Sequence, residues 1–328
     1  MCGISGFFRA HDRVRHGEWK DHPISSKRPE LGMLPSEFLA GALMLSALPG
    51  GTDAAGVFTA RWEELFTFSS SLKAKLMTLK APGPGSSLLK LNSWQQIARN
   101  AGADKCPYVV CHTRMATGST PSNNHNNHPF VNGQVVGIHN GVLSNDRRLA
   151  KKLDLKLNGE CDSEVIFAAI DHFMAKGATV RAAVREVDSL LDGWYVVVFA
   201  LKSDVTKLYI FKGDGGNLSL APADKFAACF FATSGFWIKS ALVEAKRAAD
   251  EDNKKYIQLP TADDIRVVPF PDNSFVEIDT LALSAPSDVL ELIKPIRGLT
   301  DSKTEEEKRG AAEEDRGTTA VQQKTALN

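Results

Sequence analysis

The residue whose type and place most directly suggest chemistry is Cys2. Removal of Met1, expected because the second residue is small, would leave a thiol and a free α-amine on one Cα. An α-amine has a pKa of roughly 7.7–8.0, so a useful fraction is neutral near pH 7 and can take the thiol proton. Nucleophile and base then come from one residue. A cysteine at position 2 says little alone; the segments that follow give it weight. They are Cys2-Gly3-Ile4-Ser5-Gly6-Phe7, Gly51-Thr52-Asp53-Ala54-Ala55-Gly56, His112-Thr113-Arg114-Met115-Ala116-Thr117-Gly118, Asn127-His128-Pro129-Phe130, His139-Asn140-Gly141 and Cys161-Asp162-Ser163-Glu164.

Other chemistries find less support. His112, His125, His128 and His139, with Cys106 and Cys111 nearby, follow no standard zinc spacing, and no metal or other cofactor is expected. His128 reads as a structural support for its loop. The glycine-rich run 213–216 lacks the Gly-Lys-Ser/Thr of a phosphate loop and reads as a turn. Asn140-Gly141 on its own is also a strong hairpin-turn signal.

The composition is that of an ordinary globular protein. The 328 residues are 43% hydrophobic and 24% charged, and Lys+Arg 39 balances Asp+Glu 39. No overall basic excess points to nucleic acid. Cys106, Cys111, Cys161 and Cys229 with Cys2 make an odd, scattered set, which suits free thiols, four of them small buried residues. No apolar run approaches the ~20 residues of a membrane span, and the N-terminus does not resemble a signal peptide. A cytoplasmic protein without membrane contact is expected.

The elements that must position these residues follow from periodicity and breakers. Strands are expected at 2–8, 57–60, 65–68, 108–112, 135–139, 194–201, 207–212, 229–232 and 274–278. Helices are expected at 36–48, 94–100, 163–175, 180–191 and 236–248, with Asp162 a candidate cap of the third. Residues 82–87 read as a hinge. Residues 118–132 form a long polar loop with five Asn and two His, the kind more often functional than idle. Strands and helices fall in groups, which implies α+β layers of antiparallel or mixed sheet covered by helices. Residues 299–328, charged and almost devoid of large apolar side chains, read as a disordered tail after a domain at 1–298.

Taken in order, the segments quoted above resemble the class II glutamine amidotransferase domain of the N-terminal-nucleophile hydrolases, over about residues 2–240. The resemblance implies a four-layer α/β/β/α sandwich of two mainly antiparallel sheets. It implies that Cys2 is the catalytic nucleophile and that the Asn140 side-chain amide and the Gly141 N–H form the oxyanion hole. Such fixed donors are each worth about 2.7–4 kcal/mol. Arg114 would grip the glutamine α-carboxylate with its planar fork, Asp162 would receive the α-ammonium, and Thr117 would contact substrate. Helix capping is a rival or additional role for Asp162. The sequence departs from the family in having Gly50 where an Arg is common, Met115 where an aromatic is common, and Gly118 where a His is common.

The resulting expectation is a glutaminase subunit. Cys2 attacks the side-chain amide of glutamine, ammonia leaves, and water hydrolyses the γ-glutamyl thioester to glutamate. No stretch after about residue 279 reads as an acceptor domain, so the ammonia would serve a separate acceptor or synthetase subunit. Two alternatives stand beside this. One is a γ-glutamyl amide hydrolase without transfer; the other is a non-catalytic binding or regulatory module on the same fold.

Overall fold

The computed structural model describes residues 2–10, 50–63, 73–95, 97, 106–251 and 260–298. The strand expected at 65–68, the helix at 36–48, part of the helix at 94–100 and the tail at 299–328 lie wholly or partly outside these residues.

Two antiparallel sheets form the middle of the molecule. The first is ordered β11(Val268–Pro269)-β9(Ser219–Ala223)-β10(Ala228–Ala232)-β1(Gly3–Arg9)-β4(Tyr108–Arg114)-β2(Ala54–Glu63)-β3(Lys73–Pro82). The second is ordered β13(Lys294–Pro295)-β12(Ser274–Asp279)-β8(Lys207–Lys212)-β7(Gly193–Leu201)-β6(Val135–Leu143)-β5(Phe130–Asn132). Every strand pair is antiparallel.

Successive side chains of a strand point to opposite faces, and the runs of buried apolar residues exploit this on both sides. Ile4, Phe8, Phe58, Tyr108 and Val110 of the first sheet pack against Val136, Ile138, Val196, Val198 and Ile210 of the second. The alternate residues Phe7, Val57, Val109 and Cys111 face outward, onto Ile238, Ala241, Leu242 and Ala245 of the helix Gly235–Glu251. On the outer face of the second sheet, Val197, Phe199 and Phe211 meet Val165, Ile166, Ile170, Ala183, Val184 and Val187. Those residues belong to α1(Glu164–Ala175) and α2(Val180–Leu190). The layers are therefore α/β/β/α, as the resemblance implied.

Several expected elements change extent. The strand at 57–60 is a ten-residue strand, Ala54–Glu63. Its partner Lys73–Pro82 takes in Pro82, the first residue of the expected hinge, and a short helix Gly85–Leu88 covers much of the rest. Asn140-Gly141 does not make a hairpin turn: both residues lie inside β6, opposite Val196 and Tyr195. Asp162 does not cap α1 either; Ser163 holds the N-cap position, with no side-chain cap bond.

Candidate active site

Strand parity assembles the site. On β1, Ile4 and Phe8 face the second sheet, and one further step of the alternation puts Cys2 on that same face. On β4, Tyr108 and Val110 face it, so His112 and Arg114 follow. On β6, Val136 and Ile138 face the first sheet, and Asn140 continues their row. Ile4 is registered against His112, which carries Arg114 to the place opposite Cys2. Thiol, guanidinium and amide thus converge at one end of the inter-sheet layer.

Cys2 is partly exposed, and its thiol donates to Met115 O at 3.6 Å. Burial of the sulfur raises its pKa above the ordinary thiol value, while the Met115 contact and Arg114 pull weakly the other way. The resting group is therefore a thiol near pH 7, and attack requires a base. Gly50 and Gly51 shape the floor beside it. A Cβ on Gly50 would overlap Gly3, and one on Gly51, whose φ is +150°, would overlap the Arg114–Met115 peptide. The same turn ends in Asp53, whose N–H donates to Arg114 O at 3.0 Å and whose carboxylate accepts Ala116 N–H at 2.7 Å.

Arg114 is buried. Its Nη1 donates to Asn127 Oδ1 at 3.0 Å, and its Nη2 to Ser119 O at 3.0 Å and Ser119 Oγ at 2.6 Å. A guanidinium has five N–H donors, so at least two are left for a ligand. Burying a cation costs several kcal/mol unless it is compensated, and these bonds supply the compensation. They also fix the polar loop. Asn127 and Asn126 spend their side-chain amides on Pro121 O and Thr120 O. From β3, Lys80 reaches Asn127 O at 2.7 Å and Pro129 O at 3.0 Å and lies over the Phe130 ring. Most of the loop's asparagines thus hold the loop itself.

Asn140 is buried, with Nδ2 donating to Thr233 Oγ1 at 3.3 Å. Gly141 admits no side chain, because a Cβ there would overlap Trp194 O and His139 Nε2. Its neighbour His139 faces the helical layer, where Nδ1 meets Ser163 Oγ at 2.8 Å. Asp162 accepts the Leu143 N–H at 2.8 Å, which ties its carboxylate to the end of β6. Thr117 is exposed on the segment after β4. The structure therefore groups Cys2 with Arg114, and Asn140 with Gly141 and Asp162 along β6, and leaves Thr117 outermost.

The histidines do not converge on a point. The His112 and His128 rings lie 3.9 Å apart between centroids, tilted by 39°, and His128 meets Phe130 edge-on at 4.7 Å. Burial lowers all three pKa values, His112 to about 3 and His128 well below its ordinary value, with His139 lowered as well. Among the described residues no group of three His, Cys, Asp or Glu is placed to hold a metal ion. Cys106, Cys111, Cys161 and Cys229 are buried free thiols. No helix among the described residues is long and apolar enough to cross a membrane.

Three contributors have no role assigned from the sequence, although Glu164 closes a quoted segment and Ser119 lies in the polar loop. Thr233 bonds Asn140, Ser119 bonds Arg114, and buried Glu164 accepts the N–H groups of Asn158 and Gly159 at 2.9 and 2.8 Å. Only the pairing of β10 with β1, which places Thr233 beside Ile4, distinguishes that threonine from others.

The fold is that of the N-terminal-nucleophile amidotransferases. A glutamine phosphoribosylpyrophosphate amidotransferase from B. subtilis superposes with a TM-score of 0.52, at 16% identity over 89% of this chain and 48% of its own. A structure described as the allosteric regulatory enzyme of purine biosynthesis gives 0.53, at 16% identity over 85% of this chain and 47% of its own. In sequence, a glutamine–fructose-6-phosphate aminotransferase (isomerizing) of Halalkalibacterium halodurans is 33% identical over 106 residues, which cover 31% of this chain and 18% of that protein. The enzyme of the same description from Wigglesworthia glossinidia brevipalpis is 37% identical over 93 residues, 27% of this chain and 15% of that protein. The chain thus matches less than a fifth of these curated relatives and about half of the solved structures. No family model matches it. The chain is thus similar in sequence to glutamine-dependent aminotransferases over about a third of its length, and in fold to a glutamine amidotransferase over most of it.

Proposed function

We propose that this protein hydrolyses the side-chain amide of glutamine through Cys2 and supplies the ammonia to an acceptor on a separate subunit. The observation that carries the reading is the convergence of Cys2, Arg114 and Asn140 on one end of the inter-sheet layer, in a fold that superposes on a solved glutamine amidotransferase. Cys2, freed of Met1, gives its thiol proton to its own α-amine and attacks the amide carbon. The negative charge that develops on the carbonyl oxygen meets the Asn140 amide and the Gly141 N–H. As the adduct collapses, the amide nitrogen takes the proton back from the amine and leaves as ammonia. Water then cleaves the thioester to glutamate. Arg114 holds the α-carboxylate with the N–H groups its loop leaves over, Asp162 receives the α-ammonium with the oxygen not bonded to Leu143, and Thr117 closes the outer side. The domain extends over residues 1–298, with 299–328 a tail outside it.

The test is release of ammonia and glutamate from glutamine by protein whose free N-terminal Cys2 has been verified by mass. Steady turnover, with a glutamine-like electrophile labelling Cys2 stoichiometrically, is the expected result. Cys2→Ala should abolish both while leaving the melting temperature unchanged. Full turnover in Cys2→Ala, or neither labelling nor turnover in the wild type, would remove the reading.

A further inference from the structure

Asn140 carries an amide with one bonded arm and one unpaired arm. Nδ2 donates to Thr233 Oγ1 at 3.3 Å, while Oδ1 is buried with no hydrogen-bond partner. The same threonine oxygen accepts the Ile4 N–H at 2.9 Å, and the Thr233 N–H donates to Ile4 O at 2.9 Å. Thr233 is itself buried.

Hydrogen-bond arithmetic turns this into a statement about the reactive arrangement. A hydroxyl has one hydrogen and two lone pairs, and an amide tip has an acceptor end and a donor end of nearly equal size. With Ile4 N–H and Asn140 Nδ2 both donating to Thr233, the two lone pairs are filled and the hydroxyl hydrogen has no use toward Asn140. The buried Oδ1 meanwhile goes without a donor, which is costly. Exchanging the two ends of the amide pairs the threonine hydrogen with Oδ1 without moving a heavy atom, and the unpaired arm becomes a donor instead of an acceptor. Thr233 Oγ1–H then donates to Oδ1, Ile4 N–H keeps its lone pair, and both hydrogens of Nδ2 are released to the arm that now has no partner. That arm lies in the layer between β6 and β1, where Cys2 begins β1.

We propose that Thr233 is a positioning residue which, by donating its hydroxyl to Asn140 Oδ1, sets the amide so that Nδ2 faces the developing oxyanion. The proposal rests on the reading of Cys2 as the nucleophile toward glutamine. Through its bonds to Ile4, the same hydroxyl and backbone also fix the distance between the strand that carries the nucleophile and the strand that carries the donor.

Thr233→Val keeps the shape and removes the hydrogen-bonding oxygen; Thr233→Ser keeps the oxygen. In processed full-length protein, Thr233→Val should lower kcat for glutamine hydrolysis at least tenfold with KM within twofold. Alkylation of Cys2 by iodoacetamide should stay within twofold of wild type, and Thr233→Ser should recover at least a third of the wild-type kcat. An unchanged kcat in Thr233→Val, an equal loss in Thr233→Ser, or a parallel fall of kcat and alkylation would overturn the proposal, the last by reducing Thr233 to a support for β1. If the wild type does not hydrolyse glutamine, the functional reading fails by itself and NMR still decides the orientation. The side-chain amide protons of Asn140, assigned by their loss in Asn140→Asp, should give a weak or absent cross-peak to the Thr233 side chain. A strong one overturns the proposal.

Discussion

Gly50 lies against Gly3 so closely that a Cβ on the first would overlap the Cα and N of the second and press on the carbonyl carbon of Cys2. The chain here packs bare backbone against Cys2 and Gly3. The position is therefore constrained by space beside Cys2 as well as by turn geometry.

It follows that Gly50→Ala should destabilise the fold by about 1–3 kcal/mol, the usual cost of forcing atoms into filled space. It should also slow labelling of Cys2, because the neighbour that must give way is the backbone of Cys2 and Gly3. Gly118→Ala is the control, since nothing lies within 4 Å of a Cβ placed there. Chemical denaturation and the rate of Cys2 alkylation read the two effects. A Gly50→Ala protein that matches wild type in both would show that the turn relaxes freely.

Holding the loop and the proposed grip on substrate can be separated at Arg114. Arg114→Lys leaves a cation in place but loses the planar fork that reaches Asn127 and Ser119 together. Buried acceptors left unpaired cost about 1–3 kcal/mol, so the melting temperature should fall. If the remaining donors grip the substrate carboxylate, KM for glutamine should rise tenfold or more, and an amide lacking the α-carboxylate should lose its disadvantage in the variant. A stability loss with unchanged KM would confine Arg114 to holding the loop.

How far these relations were legible in the sequence depends on how local they are. Continuous apolar runs mark β1, β4, β6 and β7, because each strand is buried on both faces or nearly so. It concealed β3, whose Lys73, Lys75 and Lys80 interrupt the apolar pattern at the edge of the sheet. Asn140-Gly141 shows how one dipeptide serves two structures. Taken alone it favours a turn, but nine residues paired against β7 override that preference. Asp162 was recognised as a residue with work to do, but its bond to Leu143 N crosses from the helix start to a strand 19 positions away. Thr233 illustrates the limit most clearly. It carries no motif, and its role arises only when β10 pairs with β1.

The buried histidines predict an acid-sensitive fold. Burial holds the pKa of His112 at about 3 and that of His128 well below 6.5. In the unfolded chain both titrate near 6.5. As pH falls below that value the unfolded state takes up protons that the folded state refuses, so stability is complete above about pH 6.5 and declines toward pH 3. Each such histidine contributes a slope of about 1.4 kcal/mol per pH unit. His128 is the one to replace, since neither of its ring nitrogens has a partner and its ring packs between His112 and Phe130. His128→Phe should match wild type at pH 8 in urea denaturation and lose stability less steeply between pH 6.5 and 5. Identical slopes for the two proteins would show that His128 is not a source of acid sensitivity.

The raised pKa of Cys2 makes a prediction about the α-amine. Burial keeps the thiol protonated at neutral pH, so a mechanism that relied on spontaneous thiolate would gain rate up to pH 9 and beyond. A mechanism that passes the proton to the residue's own amine is limited instead by the fraction of neutral amine, whose pKa is roughly 7.7–8.0. The acid limb of kcat/KM for glutamine should accordingly bend in the amine range and level off below the thiol's own titration. Retention of one residue ahead of Cys2 converts that amine to an amide nitrogen, which cannot act as a base. Turnover should then fall by about two orders of magnitude or more, within the range that a positioned base contributes, while alkylation of Cys2 at pH 9.5 stays close to that of the processed protein. A profile that climbs through pH 9 in both forms, with similar rates, would assign activation of the thiol to a group other than the terminal amine.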